Sequence, residues 1–311
     1  MTTALLFPGQ GSQFVGMGKD FYNNYDSSKT IYNELDIALN RPLTNIIFSG
    51  SEEEMLLTTN SQPAIMATSI AILRAIEDEK LLDINNVSYT AGHSLGEYSA
   101  LVATKSIRFN EAAKLLKTRS EAMQKSMPVG TGGMVAIIGT PIDQIEKAIP
   151  SLMSYGKIYI ANDNADGQIV LSGELSAINH ICTDFKKYNF KRAIKLPVSA
   201  PFHCELIQSA ANLLKKEIDN YDFKDFKFPL VSNVTALACD ANQIKDLLID
   251  QVVSKVKWRE SLGYMIDKGI TNFIEVGPGN VLTNLVKRMD RKINAISIST
   301  IEDLEKLRKL I

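Results

Sequence analysis

The chain has 311 residues, enough for about two structural units, and its 34 Lys and Arg against 35 Asp and Glu leave a formal net charge of -1. That balance argues against nucleic acid as a partner, and an apolar share of 45% is that of an ordinary globular protein, which excludes disordered, collagen-like and low-complexity classes. Cys182, Cys204 and Cys239 are odd in number, widely spaced and free of CxxC or CxxH spacing, so they read as free thiols in a reducing cytosol and not as disulfides or a zinc site. No basic stretch precedes Pro8, and the longest apolar run, 64–73, is broken by Thr68 and Ser69 and closed by Arg74, too short for a bilayer. The expected location is the cytoplasm, without membrane contact.

In chain order, a short apolar strand at 4–7 ends at Pro8-Gly9. Ile31, Leu35, Ala38 and Leu39 stand at helical spacing. Ser51 with Glu54 three residues on forms a capping box for a short helix. A longer buried helix over 62–80, a strand at 87–91 and a helix at 94–104 follow, and Asn110 is the expected cap of a helix reaching about residue 126. After the break at Gly130-Thr131-Gly132-Gly133 come a strand (134–138), a helix (141–152) capped by Thr140 with Pro141 at its first position, and strands at 158–161 and 168–171. A helix (175–188) and a strand (193–198) complete a β-α-β-β-α-β unit, the ferredoxin-like pattern. Helix 205–220, strand 230–234, helices from 242 and 258, strand 273–276, a helix from 281, strand 295–298 and a terminal helix capped by Thr300 close the chain. The fold class expected is α/β: a hydrolase-like large subdomain with a mostly parallel sheet, formed by residues 1–127 and 200–311, interrupted by a ferredoxin-like subdomain at 128–199.

Gly92-His93-Ser94-Leu95-Gly96 is a GxSxG between an apolar strand and a helix, the setting a nucleophile elbow requires. The glycines permit the tight turn, and the helix N-terminus offers N–H groups to a developing oxyanion. A serine nucleophile needs a base, and there are three histidines, His93, His180 and His203. His93 adjoins the nucleophile, where neighbouring side chains point apart. His180 lies in the helix of the inserted unit and reads as packing. His203, at the exit from that unit, is the best base because a junction cleft is where sites lie. An acid between Ser94 and His203 would have to be Asp143, Asp163, Asp166 or Asp184, all in the insert, so a dyad oriented by a backbone carbonyl fits better than a carboxylate triad. Arg119 shares a helix face with Leu115, Leu116, Ala122 and Met123, and a buried guanidinium needs an anionic partner, either a protein carboxylate or a substrate one. Pro8-Gly9-Gln10-Gly11-Ser12-Gln13 lacks phosphate-loop spacing, yet follows a strand and so faces the crevice, where it can supply a second oxyanion N–H.

Taken with Gln62-Pro63-Ala64, Glu97-Tyr98-Ser99-Ala100, the stretch 168–173, the stretch 196–204 and Glu275-Val276-Gly277-Pro278-Gly279, these motifs resemble, over essentially the whole chain, the malonyl-CoA:acyl carrier protein transacylases of bacterial fatty-acid synthesis. The resemblance implies Ser94 as nucleophile and His203 as base, with the backbone carbonyl of Gln251 orienting the histidine. It implies the N–H groups of Gln13 and Leu95 as the oxyanion hole and Arg119 as the anchor of the malonyl carboxylate. Gln62, His93, Asn162 and Phe202 would line the pocket, and Lys191 and Arg192 would meet the acidic carrier protein. Malonyl-CoA and the acyl carrier protein are then the substrates, no metal or redox cofactor is needed, and the chain is expected to act as a monomer. Phe202 stands where the family often has Ser, which resembles malonyl-selective acyltransferases of polyketide assembly and narrows the room for an α-methyl group. The acidic stretch Asn162-Asp163-Asn164-Ala165-Asp166 also departs from the pattern. The competing readings are a trans-acting malonyl acyltransferase of a polyketide synthase, a serine hydrolase or thioesterase, which predicts an acid triad member and has no use for Arg119, and a non-catalytic acyl-binding scaffold, which Ser94 and His203 disfavour.

Overall fold

The computed structural model describes residues 2–128, 130–198 and 200–310. Two sheets organise it. The larger has the order β10-β9-β1-β2-β7-β8, from β1 (Thr3–Phe7), β2 (Val87–Gly92), β7 (Leu230–Val231), β8 (Ala238–Cys239), β9 (Asn272–Val276) and β10 (Asn294–Ile298). Every pairing in it is parallel except that of β8, a two-residue antiparallel edge strand too short to leave a sequence signal. Alternation along β1 explains why both faces are covered: Leu5 and Phe7 enter one apolar cluster, Ala4 and Leu6 another. The first cluster contains helices Thr58–Asp78 and Phe109–Lys125, the second helices Trp258–Asp267 and Val281–Met289.

The smaller sheet is antiparallel with the order β4-β5-β3-β6, from β3 (Gly132–Ile138), β4 (Ile158–Ala165), β5 (Gln168–Glu174) and β6 (Arg192–Lys195). That order is the one a β-α-β-β-α-β unit generates. Val135, Ile137, Ile169 and Leu171 pack beneath helices Ile142–Leu152 and Leu175–Asp184. The alternate residues Met134, Ala136 and Val170 face the other way, over a cavity at the carboxyl ends of the large sheet. The expected junctions of this unit at residues 128 and 199 fall beside or on Val129 and Ser199, which lie outside the described residues.

Several expected details are corrected. Helix Phe109–Lys125 starts before Asn110, because Glu111 reaches back to the Arg108 N–H (3.2 Å) and displaces Asn110 from the capping position. Thr140 does not cap the next helix: its hydroxyl accepts the Lys191 N–H (3.0 Å), and the helix begins after Pro141. The Ser51–Glu54 and Thr300–Asp303 boxes form. β6 and β7 are shorter than the apolar runs that predicted them, since 196–198 and 232–234 turn away toward the cavity and the elbow. Cys204 is buried, Cys182 and Cys239 are half-buried, and all three are free. No helix among the described residues is long and apolar enough to cross a membrane.

Candidate active site

Ser94 occupies the turn between β2 and helix Gly96–Ala103 with φ 54°, a left-handed conformation that costs a non-glycine residue about 1–2 kcal/mol. The flanking glycines make the turn possible. A Cβ on Gly92 would lie 1.9 Å from the Gly96 carbonyl, and one on Gly96 would lie 2.3 Å from the Phe7 carbonyl oxygen. Asn233, just past β7, holds the elbow from outside: its Oδ1 accepts the Ser94 N–H (2.7 Å) and its Nδ2 donates to the Gly92 carbonyl (2.7 Å). Those contacts over-determine the strained serine and aim its hydroxyl into the cavity.

There Ser94 Oγ meets His203 Nε2 at 2.8 Å, and His203 Nδ1 lies 2.8 Å from the backbone carbonyl oxygen of Gln251. Gln251 sits in the last turn of helix Ile244–Val253, where carbonyls lack intrahelical partners, so this oxygen is available to the ring. A carbonyl can only accept, which places the proton on Nδ1 and leaves Nε2 to take one from the hydroxyl. The partner is a carbonyl and not a carboxylate. Burial, and next to it the Arg119 guanidinium, press the His203 pKa down to about 3 against the pull of that carbonyl. The imidazole is therefore neutral and able to accept a proton across the physiological range.

Arg119 is 1% exposed, with its guanidinium 5.7 Å from the Tyr98 ring centroid. One terminal nitrogen donates to Gln62 Oε1 (2.5 Å); the other donates to Gln251 Oε1 (2.8 Å) and Ser94 Oγ (3.1 Å). Every one of these acceptors is neutral, and among the described residues no carboxylate forms an ion pair with it. A charge so placed is only partly compensated and has the geometry to pair with an anion. The carboxyl group that acts on Arg119 is that of Glu97, fully buried, whose oxygens accept the Asn233 N–H (2.8 Å) and the Gln251 side-chain N–H. Burial pushes the Glu97 pKa up, to about 8, while both donors and Arg119 pull it down. The donors converge one on each oxygen, so both oxygens act as acceptors.

The cavity has a volume of about 490 Å³ and is walled by the loop after β1 (Gly9, Gln10, Gly11, Gln13), the elbow, Arg119, the small sheet and Phe202. Gln62, His93, Asn162 and Phe202 all line it. His93 points away from the serine hydroxyl: its Nε2 lies 2.8 Å from Asn164 Oδ1 and its ring is edge-on to Trp258. Register shifts in β4 around residues 161 and 164 turn Asn162 and Asn164 toward the cavity, while Asp163 turns out to a bidentate pair with Arg259 (3.0 and 2.7 Å). The acidic stretch thus ties the small sheet to helix Trp258–Asp267. Among the described residues the backbone N–H groups of Gln13 and Leu95 have no protein acceptor, and both residues line the cavity. His180 is a packing residue, stacked on Tyr155 at 3.5 Å and bonded to Tyr188. Lys191 and Arg192 are exposed and outside the cavity; Ile138 stands between Arg192 and the cavity-lining Gln168 in the sheet. Among the described residues no group of three or more His, Cys, Asp or Glu gathers to hold a metal. Asn233, Glu97, Asn164 and the Gln251 side chain take places at the site that the sequence reading did not give them.

A serine, a histidine on its hydroxyl and a buried cation beside them are the groups of a serine enzyme that acts on acyl groups. The acyl transferase domain family matches residues 4–306, and the chain belongs to that family, among the malonyl CoA-acyl carrier protein transacylases. It is 41% identical over 304 residues to the malonyl CoA-acyl carrier protein transacylase of Bacillus subtilis (strain 168), covering 97% of this chain and 95% of that one. Among solved structures it matches the acyl-carrier-protein-S-malonyltransferase of Bartonella henselae with a TM-score of 0.96 at 39% identity, covering 100% of this chain and 99% of that one. A malonyl-transacylase solved in complex with its type II PKS acyl-carrier protein matches with a TM-score of 0.95 at 34% identity, over 100% of both chains.

Proposed function

We propose that this chain moves a malonyl group from malonyl-CoA to the pantetheine thiol of an acyl carrier protein through an ester on Ser94. His203 Nε2 takes the hydroxyl proton as Ser94 Oγ attacks the thioester carbonyl. The N–H groups of Gln13 and Leu95 receive the tetrahedral oxyanion. The intermediate collapses, the C–S bond breaks, and CoA leaves as the thiol with the proton from His203. In the second half-reaction the carrier thiol gives its proton to His203 and attacks the ester, and Ser94 departs with that proton. Arg119 holds the malonyl carboxylate through both steps, while Gln62, His93, Asn162 and Phe202 shape the space around the acyl group. Each step is proton transfer or nucleophilic substitution by the chain's own groups, so the reading assigns no metal or cofactor.

One observation carries the reading: a fully buried guanidinium with only neutral acceptors stands 3.1 Å from the serine oxygen, within one short acyl chain of the reacting carbon. The hydrolase reading needs a carboxylate behind the histidine, and His203 faces a carbonyl instead. Residues 1–127 and 200–311 are taken as the catalytic subdomain and 128–199 as the subdomain that roofs it. Lys191 and Arg192 are assigned to the carrier-protein contact, and the enzyme is taken to be a cytoplasmic monomer.

Mixed with malonyl-CoA and a holo carrier protein, the chain is expected to load the carrier far faster than it releases free malonate, both followed in one mass-spectrometric time course. Release of malonate without carrier loading would make it a hydrolase. Loading confined to a polyketide carrier, with none on a fatty-acid carrier, would favour a polyketide role, a carrier type with which one structural neighbour was solved in complex.

A second expectation concerns pH. The acid limb of kcat/KM reports the base of the free enzyme. An exposed histidine titrates near about 6.5 and would cost tenfold per pH unit below that. With His203 held near 3, malonyl-CoA acylation should be almost flat from about pH 7 down to about pH 5. Stopped-flow acylation rates check this, and a limb centred near 6.5 would mean that the free enzyme keeps the ring hydrated.

A further inference from the structure

The structure assigns Glu97 a part in this reaction: we infer that its carboxyl oxygens, acting through the Gln251 side-chain amide, set the Arg119 guanidinium in the position that receives the substrate carboxylate. The inference rests on the reading of Arg119 as the carboxylate anchor. Glu97 touches no substrate in this scheme and is a positioning residue.

The argument is one of hydrogen-bond direction. A glutamine amide has a donor end and an acceptor end, and its neighbours decide which way it points. At one end of the Gln251 amide stand two acceptors, a Glu97 carboxyl oxygen and the Ser94 carbonyl (2.9 Å); at the other stands a donor, the Arg119 guanidinium (2.8 Å). In the observed orientation all three contacts are satisfied. Rotated by half a turn, the amide would set N–H against the guanidinium and oxygen against both acceptors. Glu97 is what makes that reversal most costly, because it is a buried acceptor, 0% exposed, with no water to take its place. The terminal N–H groups of the guanidinium stay on neutral acceptors, which a substrate carboxylate can replace without breaking an ion pair.

Glu97 cannot be replaced by its own amide without loss. Its two oxygens accept from two different donors, Asn233 N–H and Gln251 Nε2, and a glutamine has only one oxygen. Nothing in the helix Gly96–Ala103 itself demands a carboxylate at this inward-facing place, since a first-turn acid interacts with the helix dipole from any side.

The test is a double-variant cycle with malonyl-CoA and acetyl-CoA, reading KM and kcat separately. Glu97→Gln is expected to lower malonyl kcat/KM by about 10- to 100-fold, mainly through KM, the range for leaving a buried donor unsatisfied. Acetyl kcat/KM should fall at least about tenfold less, because acetyl makes no use of the guanidinium. Gln251→Met removes the amide through which Glu97 acts and should produce the same malonyl-selective loss. The double variant should then be no worse than Gln251→Met alone, within about threefold, and not the product of the two losses. Equal falls for both thioesters would overturn the inference and leave Glu97 as a brace for the elbow through Asn233. Multiplying losses in the double variant would overturn it too, as would an unchanged malonyl-to-acetyl ratio in Gln251→Met, which decides the matter if Glu97→Gln does not fold. Arg119→Ala in the same assay separates the two levels. If it spares malonyl selectivity, the anchor reading itself fails; if it removes selectivity while both Glu97→Gln and Gln251→Met keep it, only the inference does.

Discussion

Ser94→Ala should abolish the covalent malonyl adduct and reduce carrier loading by on the order of 10⁶-fold, the scale seen when a nucleophile that works as a unit with its base is removed. The substitution deletes one oxygen and little else. Alanine is as compatible as serine with the φ of 54° imposed at the elbow, and the Asn233 contacts to the Ser94 N–H and Gly92 carbonyl use backbone atoms that the variant keeps. A folded protein is therefore expected, with a melting temperature within a few degrees of the parent. What disappears is the atom that His203 Nε2 and an Arg119 nitrogen share. Intact-mass measurement after mixing with malonyl-CoA reads the outcome directly. A variant that still carries one malonyl group would place the acyl ester on another residue and remove the basis for assigning roles to the elbow.

The parts of this site that were legible in the sequence are those set by local pattern. The strand, GxSxG and following helix announce an elbow because its close approaches are possible only for glycine, as at Gly92 and Gly96. Arg119 was legible because a 3.6-residue period places it among Leu115, Leu116, Ala122 and Met123, and it is indeed buried with them. The β-α-β-β-α-β order likewise foretold the antiparallel sheet, since each element is periodic enough to be recognised alone. Asn233 was illegible for the opposite reason: it meets Ser94 across 139 residues of chain, at the end of a strand only two residues long. Glu97 carried a misleading signal, because an acid in the first turn of a helix ordinarily faces water, whereas this one is fully buried. The turns of Asn162 and Asn164 toward the cavity come from irregular register between β4 and β5, and a bulge has no fixed sequence mark. The two misplaced helix starts, at Asn110 and Thr140, arise where a competing partner, Arg108 N–H for Glu111 and Lys191 N–H for Thr140, won the hydrogen bond.

Arg119→Ala should lower malonyl kcat/KM by roughly 30- to 5,000-fold, the equivalent of the about 2–5 kcal/mol that one partner of a buried, hydrogen-bonded charge pair contributes. Acetyl transfer should be unchanged or faster, because acetyl offers nothing to the guanidinium and the variant no longer holds a buried charge whose partners are all neutral. The contact between Arg119 and Ser94 Oγ sharpens the experiment. If its main work were to acidify the serine, both thioesters would lose rate together; if it anchors the malonyl carboxylate, that same nitrogen turns from Oγ to the substrate and the loss is confined to malonyl. A purely structural arginine makes a third pattern, a parallel fall for both thioesters with a large drop in melting temperature. The geometry argues against that last pattern, since deleting a buried cation held by two glutamines and a serine removes a desolvated charge and leaves only neutral acceptors to be rehydrated. Steady-state kinetics on both thioesters, with thermal unfolding of the same preparation, distinguish all three, and a parallel loss would move malonyl selection away from Arg119 to the walls around Phe202.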